Sequence, residues 1–139
     1  MKKMECMTLN PARKYRFSAT VTGKFLDIKH YEVQSIDTKV EKGNVWCDIK
    51  FMVTIEQVNK TESDVVTTIQ SFENSHTVTI KLLDEKGRVF QCKTISDAMI
   101  AGYSSNLDYA SNETYSFIVK FVAPIGKVTL APDDNSEVI

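Results

Sequence analysis

Cysteine is scarce in this 139-residue sequence, and its positions exclude the usual cysteine-based sites. The three cysteines are Cys6, Cys47 and Cys92. An odd number without close spacing is not typical of a disulfide framework or a zinc knuckle. Cys47 and Cys92 fall within predicted strands, where a free cysteine usually packs as a small hydrophobic residue. A redox or metal role for either thiol is the less favoured interpretation.

Histidine and glycine are also scarce, with two and five residues respectively. His30 and His76 are far apart in the sequence, so we interpret each as a surface or strand residue rather than a ligand. The few glycines leave little room for a loop that cradles phosphate, and the chain lacks H-E-x-x-H, G-x-S-x-G, P-loop and G-x-G-x-x-G motifs. We predict that the protein is not an enzyme and has no catalytic residue, no cofactor and no metal ion.

The chain has almost no net charge and no long hydrophobic run. Its formal net charge of −1 gives no whole-molecule reason to expect DNA or an anionic membrane as a partner. No apolar segment approaches the roughly 18 residues that a membrane-spanning helix needs, so we expect no membrane insertion. The opening "MKKMECMTLN" has two lysines but no apolar segment. We therefore expect no signal peptide and synthesis in a reducing cytoplasm.

Alternating apolar and polar residues dominate what is present, and they predict a mainly β fold. The first strand runs from Lys14 to Gly23, and a second is expected at Phe25–Val33, followed by a polar extension to Asn44. Residues 45–56 carry the strongest pattern, with one apolar face and one mostly polar face. The predicted apolar face consists of Val45, Cys47, Ile49, Phe51, Val53 and Ile55.

The pattern changes to a helical one after residue 60. Thr61 is the expected N-cap, and Val65, Ile69 and Phe72 would form one apolar stripe, so we predict a short helix over 62–73. Residues 77–95 are predicted to form a β-hairpin around the turn "DEKGR", and "SDAMIAGYSS" is interpreted as a connector. The last long strand, 115–122, is apolar on both faces, which predicts that both faces are covered. A short apolar segment, 128–130, and an acidic tail follow.

Four aromatic residues near the C-terminus permit a different interpretation. Tyr103, Tyr109, Tyr115 and Phe117 could form a stacking platform for single-stranded nucleic acid. No cluster of lysine or arginine accompanies them, although such platforms need phosphate neutralisation. We therefore favour a role in the sheet core and in turns. A monomeric β-barrel module that binds a ligand or nucleic acid remains an alternative.

The order of these elements resembles the tail tube proteins of contractile bacteriophages, a fold related to the secreted tube protein of type VI secretion. The match is strongest in "HTVTIKLLDEKGRVFQCKTISDAMIAGYSSNLDYASNETYSFIVKFV", which is similar to the closing hairpin of that family, with its N-L-D-like turn and short "SNE" segment. "NVWCDIKFMVTIEQV" resembles the long strand before the family's helix. The resemblance covers residues 13–122 as a single tube-like domain. Residues 1–12 would be an N-terminal arm, and residues 123–139 a C-terminal extension.

The resemblance implies a two-sheet β-sandwich or barrel with one short helix, and a structural role in a virion tail. Subunits would form hexameric rings that stack around a channel, through which DNA passes without specific binding. The implied partners are other copies of the chain, the sheath, the tape-measure protein, and the baseplate and terminator proteins; the tail would be made in the host bacterial cytoplasm. The alternative within the fold is a paralogue: a baseplate tube initiator, a tail terminator or a type VI secretion tube protein.

Two sets of residues are assigned roles through this resemblance. The polar extension corresponds in position to the family's long loop, which reaches toward the adjacent ring. Its residues are the predicted inter-ring contact: Gln34, Ser35, Ile36, Asp37, Thr38, Lys39, Val40, Glu41, Lys42, Gly43 and Asn44. The polar face of 45–56 is predicted to line the channel, through Asp48, Lys50, Thr54 and Glu56.

Overall fold

The computed structural model describes residues 17–106 and 114–132, which form seven strands and one helix. Several predicted features lie outside these residues. They are the N-terminal arm, the start of the first strand, most of the N-L-D-like turn, the "SNE" segment, Cys6, Tyr109 and the acidic tail. In chain order the elements are β1 (Phe17–Gly23), β2 (Val33–Glu41), β3 (Asn44–Thr54), α1 (Val58–Gln70), β4 (His76–Leu83), β5 (Val89–Asn106), β6 (Thr114–Pro124) and β7 (Val128–Ala131).

The strands are all antiparallel and follow the order β1-β4-β5-β6-β3-β2, with β7 also paired to β5. The long strand β5 belongs to two halves of this sheet. Its first part pairs with β4 and β7, and its second part pairs with β6. We call β1, β4, β7 and the first part of β5 the back sheet, and β2, β3, β6 and the second part of β5 the front sheet. The predicted mainly β fold with two sheets and one helix is confirmed.

The core lies between the two sheets and is built mainly by β3 and β6. Alternate residues of β3 are buried as predicted, from Val45 to Val53, and they face Phe117, Val119 and Phe121 of β6. The rings of Phe51 and Phe117 stack with centroids 5.8 Å apart. The helix adds Val65 and Thr68 to the buried side, and the Thr68 hydroxyl donates a hydrogen bond to the carbonyl of Asp64.

The predicted helix is displaced by four residues at its start. It begins at Val58 rather than residue 62, and its N-cap is Gln57 rather than Thr61. The reason is a tight turn after β3, in which the Gln57 N–H bonds to the Thr54 carbonyl at 2.9 Å and the Gln57 side chain accepts the Thr54 N–H at 3.1 Å. The helix ends at Gln70, so Phe72 lies beyond it instead of in an apolar stripe.

Residues 25–44 also differ from the prediction. Residues 25–32 form a bend with one isolated bridge and a 3₁₀ turn, not a strand. The polar extension is not a loop, because β2 and β3 form a hairpin with only Lys42 and Gly43 between them. Both turn residues have positive φ angles, as two-residue hairpin turns require.

Three further expectations are wrong. The strand predicted to reach residue 56 ends at Thr54, and Ile55 is exposed in the following turn. The expected connector "SDAMIAGYSS" is part of β5, because it pairs with β6. Strand β6 is covered on one face only, since Ile118 on the other face is 37% exposed. Beyond residue 122, β6 continues to Pro124 and β7 pairs with β5, so part of the C-terminal region adds to the sheet.

His76 begins β4 and is buried, with 2% of its surface exposed. Its Nδ1 lies 3.1 Å from the Ala98 carbonyl. Because a carbonyl can only accept, Nδ1 carries the proton, and the buried Nε2 has no partner. Gly23 leaves the space for the ring, since a Cβ there would lie 2.3 Å from His76 Cδ2. Burial lowers the pKa of His76 below its ordinary value of 6.5, although the Ala98 carbonyl and Asp27 oppose this.

The free energy of unfolding should therefore decrease as pH falls. Above pH 6.5 His76 is neutral in both states, so its contribution to stability is fully present. As pH falls through 6.5 the unfolded chain binds a proton first, and stability is lost until the folded-state pKa is passed. Urea unfolding between about pH 8 and pH 5 should show a smaller decrease in His76→Gln than in the wild type. Equal decreases in both proteins would contradict this role for His76.

Candidate assembly surface

The front sheet has two edges that no described strand covers. On one side β2 pairs with β3 alone. On the other side the ladder between β4 and β5 ends at Ala98, so residues 99–106 of β5 pair with β6 alone within the described ranges. Unpaired strand edges present rows of N–H and C=O groups that can pair with another chain. These two edges are the first element of the candidate surface.

The solvent face of the front sheet carries charged residues at its centre. Asp37 of β2, Asp48 of β3 and Lys120 of β6 line a shallow concavity of about 410 Å³, together with Lys39, Glu41 and Trp46. Lys120 Nζ lies 3.3 Å from Asp48 Oδ1, and Lys39 Nζ lies 3.4 Å from Glu41 Oε1. These ion pairs are solvent-exposed and contribute at most about 1 kcal/mol each. Their main effect is that acidic and basic charges compensate each other across the face.

The structure brings the predicted inter-ring residues together in one hairpin. Residues 34–41 lie in β2, Lys42 and Gly43 form the turn, and Asn44 begins β3. The Gly43 carbonyl accepts the Ile125 N–H at 2.9 Å, which fixes the turn against the end of β6. The hairpin tip is therefore a defined surface.

Three of the four predicted channel residues lie on β3, and one does not. Asp48 and Lys50 are on the solvent face of the front sheet, and Thr54 is exposed at the strand end. Glu56 lies in the turn between β3 and α1, so it does not share the strand face of the other three. The alternation ends early because Gln57 closes the turn onto Thr54.

Sequence reasoning placed Trp46 on this face of the strand but missed Lys120. In the sequence pattern Lys120 only interrupts an apolar face, and its pairing with Asp48 needs the register of β3 and β6. Trp46 also lines the concavity. The aromatic residues considered as a stacking platform belong elsewhere: Phe117 is buried, and Tyr103 and Tyr115 pack against the core.

The described cysteines and possible metal ligands form no evident site. Burial raises the pKa of the Cys47 thiol to about 12, with a smaller contribution from Asp48, so this thiol is not a nucleophile near neutral pH. Cys92 is half-buried. In residues 17–106 and 114–132 no group of three histidine, cysteine or carboxylate side chains could hold a metal ion. Within the same ranges no helix is both long and apolar enough to cross a membrane.

Among known proteins, the chain matches solved structures by fold, but it matches no family model or curated protein. One similar structure is a chain of the PVC sheath/tube terminator, from an extracellular contractile injection system in the extended state. Its TM-score is 0.62 and its sequence identity is 17%, and the match covers 90% of this chain and 99% of that chain. A chain of the PVC sheath–tube complex has a TM-score of 0.57 and 19% identity, over 88% and 92%. A chain of the anti-feeding prophage baseplate, solved with six-fold symmetry, has a TM-score of 0.57 and 16% identity, over 89% and 97%.

The chain has the tube fold of contractile tails. At this level of identity the likeness establishes the fold, and the fold matches over nearly the whole length of each neighbour. Two of these neighbours come from an extracellular contractile injection system and one from a prophage baseplate. Chains from a sheath–tube complex, a terminator and a baseplate are thus all similar to this chain in fold.

Proposed function

We propose that the chain is a structural subunit of a contractile tail tube, and that copies of it form rings that stack around a central channel. The observation that carries this proposal is the pair of open edges on opposite sides of one four-stranded sheet. A sheet with two open edges can continue into a second copy on each side, and a closed ring removes both edges.

The strand directions support ring closure. Each neighbouring pair in the front sheet is antiparallel, so β5 and β2 at its two edges run in opposite directions. Rotation about a ring axis preserves these directions. Strand β2 of one copy would therefore meet β5 of the next copy as an antiparallel partner, and the alternation would continue around the whole barrel.

The finer features of the proposal concern the particle. We infer a bacteriophage tail, made in the host cytoplasm, with six subunits per ring, as in the six-fold baseplate similar to this chain. The solvent face of the front sheet would line the channel through Asp48, Lys50 and Thr54, joined by Lys120. Compensated charge on that face suits DNA that passes without being bound, because tight phosphate binding needs uncompensated positive charge. The sheath, tape-measure, baseplate and terminator proteins would be its partners.

A second candidate is a tube-fold paralogue that begins or ends the tube. The likeness to a terminator chain and to a baseplate chain supports it. Such a subunit would form single rings, whereas a tube subunit would form stacks.

Negative-stain electron microscopy and light scattering of the purified, concentrated protein test the proposal. Stacked rings or hollow rods are expected for a tube subunit, and single rings for a terminator or initiator. A 15.7 kDa monomer at every concentration, which also fails to add to preformed tail tubes, would overturn both assembling functions.

A further inference from the structure

The pairing between β4 and β5 continues for one step through a side chain instead of a main chain. His76 pairs with Ala98, so residues 74 and 100, two positions further along, would be partners if the antiparallel ladder continued. At that position the Ile100 N–H donates to Asn74 Oδ1 at 2.8 Å, and Asn74 Nδ2 donates to the Ile100 carbonyl at 3.1 Å. The Asn74 amide thus replaces a backbone peptide group. The amide bonds both backbone groups of Ile100, while the main chain before Asn74 turns away toward α1.

Phe72 precedes Asn74 by two residues and is fully exposed. The β5–β6 ladder shifts its register between Ile100 and Gly102, so the edge that follows Ile100 begins at an irregular position of β5. The Phe72 side chain has a relative exposure of 108%. Its segment is held by a hydrogen bond from the Glu73 N–H to the Ser71 hydroxyl and by an ion pair between Lys24 and Glu73. Single exposed apolar residues are common, but this one stands at the start of an open strand edge.

The open edge of β2 carries matching apolar residues. Register with β3 places Ile36 opposite Ile49 and Val40 opposite Val45, so both point to the core side of the front sheet. Val40 is nevertheless 62% exposed. The helix that leads to Phe72 packs on that same side, through Val65. Ile36, Val40 and the helix that leads to Phe72 are therefore on the same side of the front sheet.

We propose that Asn74 and Phe72 determine how β2 of a second copy docks onto β5. Asn74 occupies the N–H and carbonyl of Ile100, so the neighbour's strand can pair only beyond Ile100, which fixes the register between copies. Phe72 covers that strand from the core side and contacts its Ile36 and Val40. This inference rests on the proposed ring-forming function, and its occupant is a second copy of this chain.

Substitution of Phe72 tests the contact. Phe72→Ser should fold like the wild type, because the side chain is exposed in the monomer, but it should need at least about tenfold more protein to form rings. Phe90→Ser is the matched control, since Phe90 is a 43% exposed aromatic residue of the back sheet. It should assemble at wild-type concentrations. Circular dichroism melting verifies that each variant is folded.

A tryptophan at position 72 tests burial directly. In the background Trp46→Phe, which removes the only native tryptophan, Phe72→Trp should emit at shorter wavelength in rings than in monomers. Asn74→Asp, which loses the donor to Ile100, should fold but form rings of mixed size or none. If the wild type forms no ring, the proposed function itself fails. This inference alone is overturned if the wild type forms rings and three results hold. Phe72→Ser and Asn74→Asp would both assemble normally, and the emission of the Phe72→Trp variant would stay that of an exposed indole.

Discussion

Val119→Asp should abolish the folded state, whereas Ile118→Asp, at the neighbouring position, should leave it intact. Val119 is completely buried between Ile49 of β3 and Tyr103 of β5. An aspartate there would be a buried charge without a partner, with a cost of several kcal/mol. That cost is comparable to the whole stability of a small domain, about 5–15 kcal/mol. Far-ultraviolet circular dichroism and urea titration of both variants measure the effect.

The neighbouring substitution is a strict control because it changes the same kind of side chain on the same strand. Ile118 is 37% exposed on the solvent face and lies opposite Lys50, so a carboxylate there is hydrated and close to a positive charge. The free energy of unfolding should change by less than about 1 kcal/mol. A cooperative, near-wild-type transition for Val119→Asp would show that the assigned faces of β6 are wrong.

Charge exchange at the tip of the β2–β3 hairpin should separate ring formation from ring stacking. In the proposed ring the strand ends form the two flat faces, and the tip at Glu41 and Lys42 projects from one of them. The double variant Glu41→Lys, Lys42→Glu keeps the net charge, and both side chains are on the surface. We expect folded subunits and intact rings, but at least about tenfold fewer rods in electron micrographs, because like charges would then meet across the contact.

The chain provides a matched control for this exchange. The sequence Glu-Lys-Gly occurs in the turn of the β2–β3 hairpin, at 41–43, and in that of the β4–β5 hairpin, at 85–87, and the glycine of each has a positive φ angle. Glu85→Lys, Lys86→Glu makes the same exchange in the back sheet, away from the proposed ring faces. Normal rods from this control are expected. Normal rods from the variant at 41–42 as well would show that the β2–β3 tip is not the inter-ring contact.

Sequence pattern predicted those elements whose two faces differ in burial. Strand β3 alternates strictly because one face lies in the core, and its bounds were correct to within two residues. The apolar face of β6 was also predicted correctly, as Phe117, Val119 and Phe121 are all completely buried. The β4–β5 hairpin was predicted from the turn sequence "DEKGR", whose turn is local. The Asp84 side chain accepts hydrogen bonds from the N–H groups of Lys86 and Arg88 within that segment.

Elements fixed by pairing rather than by burial were missed. Strand β2 is mostly exposed on both faces, so it has no apolar alternation, and its partner β3 alone makes it a strand. The second part of β5 is rich in small and polar residues and becomes a strand through β6. The helix start was misplaced because a local turn, in which Gln57 bonds to Thr54 three residues earlier, leads the chain into the helix before Thr61.

The candidate surface was partly predictable for a related reason. Asp48 and Lys50 could be placed on a polar strand face from period-two alternation alone. The open edges could not, because an edge exists only once the strand order is known. Asn74 gave no signal either, since its role depends on the Ile100 peptide group, to which the end of the β4–β5 ladder brings it.

The pairing of β3 with β6 has a consequence for how the chain folds as it is synthesised. Val45 and Ala123 are direct partners, although more than half of the sequence separates them. The central strand of the front sheet therefore keeps its apolar face uncovered until β6 has left the ribosome. Such non-local pairing is slow and leaves strand edges open to other nascent chains. The interval between the synthesis of β3 and that of β6 is thus the stage at which this chain is most exposed to aggregation.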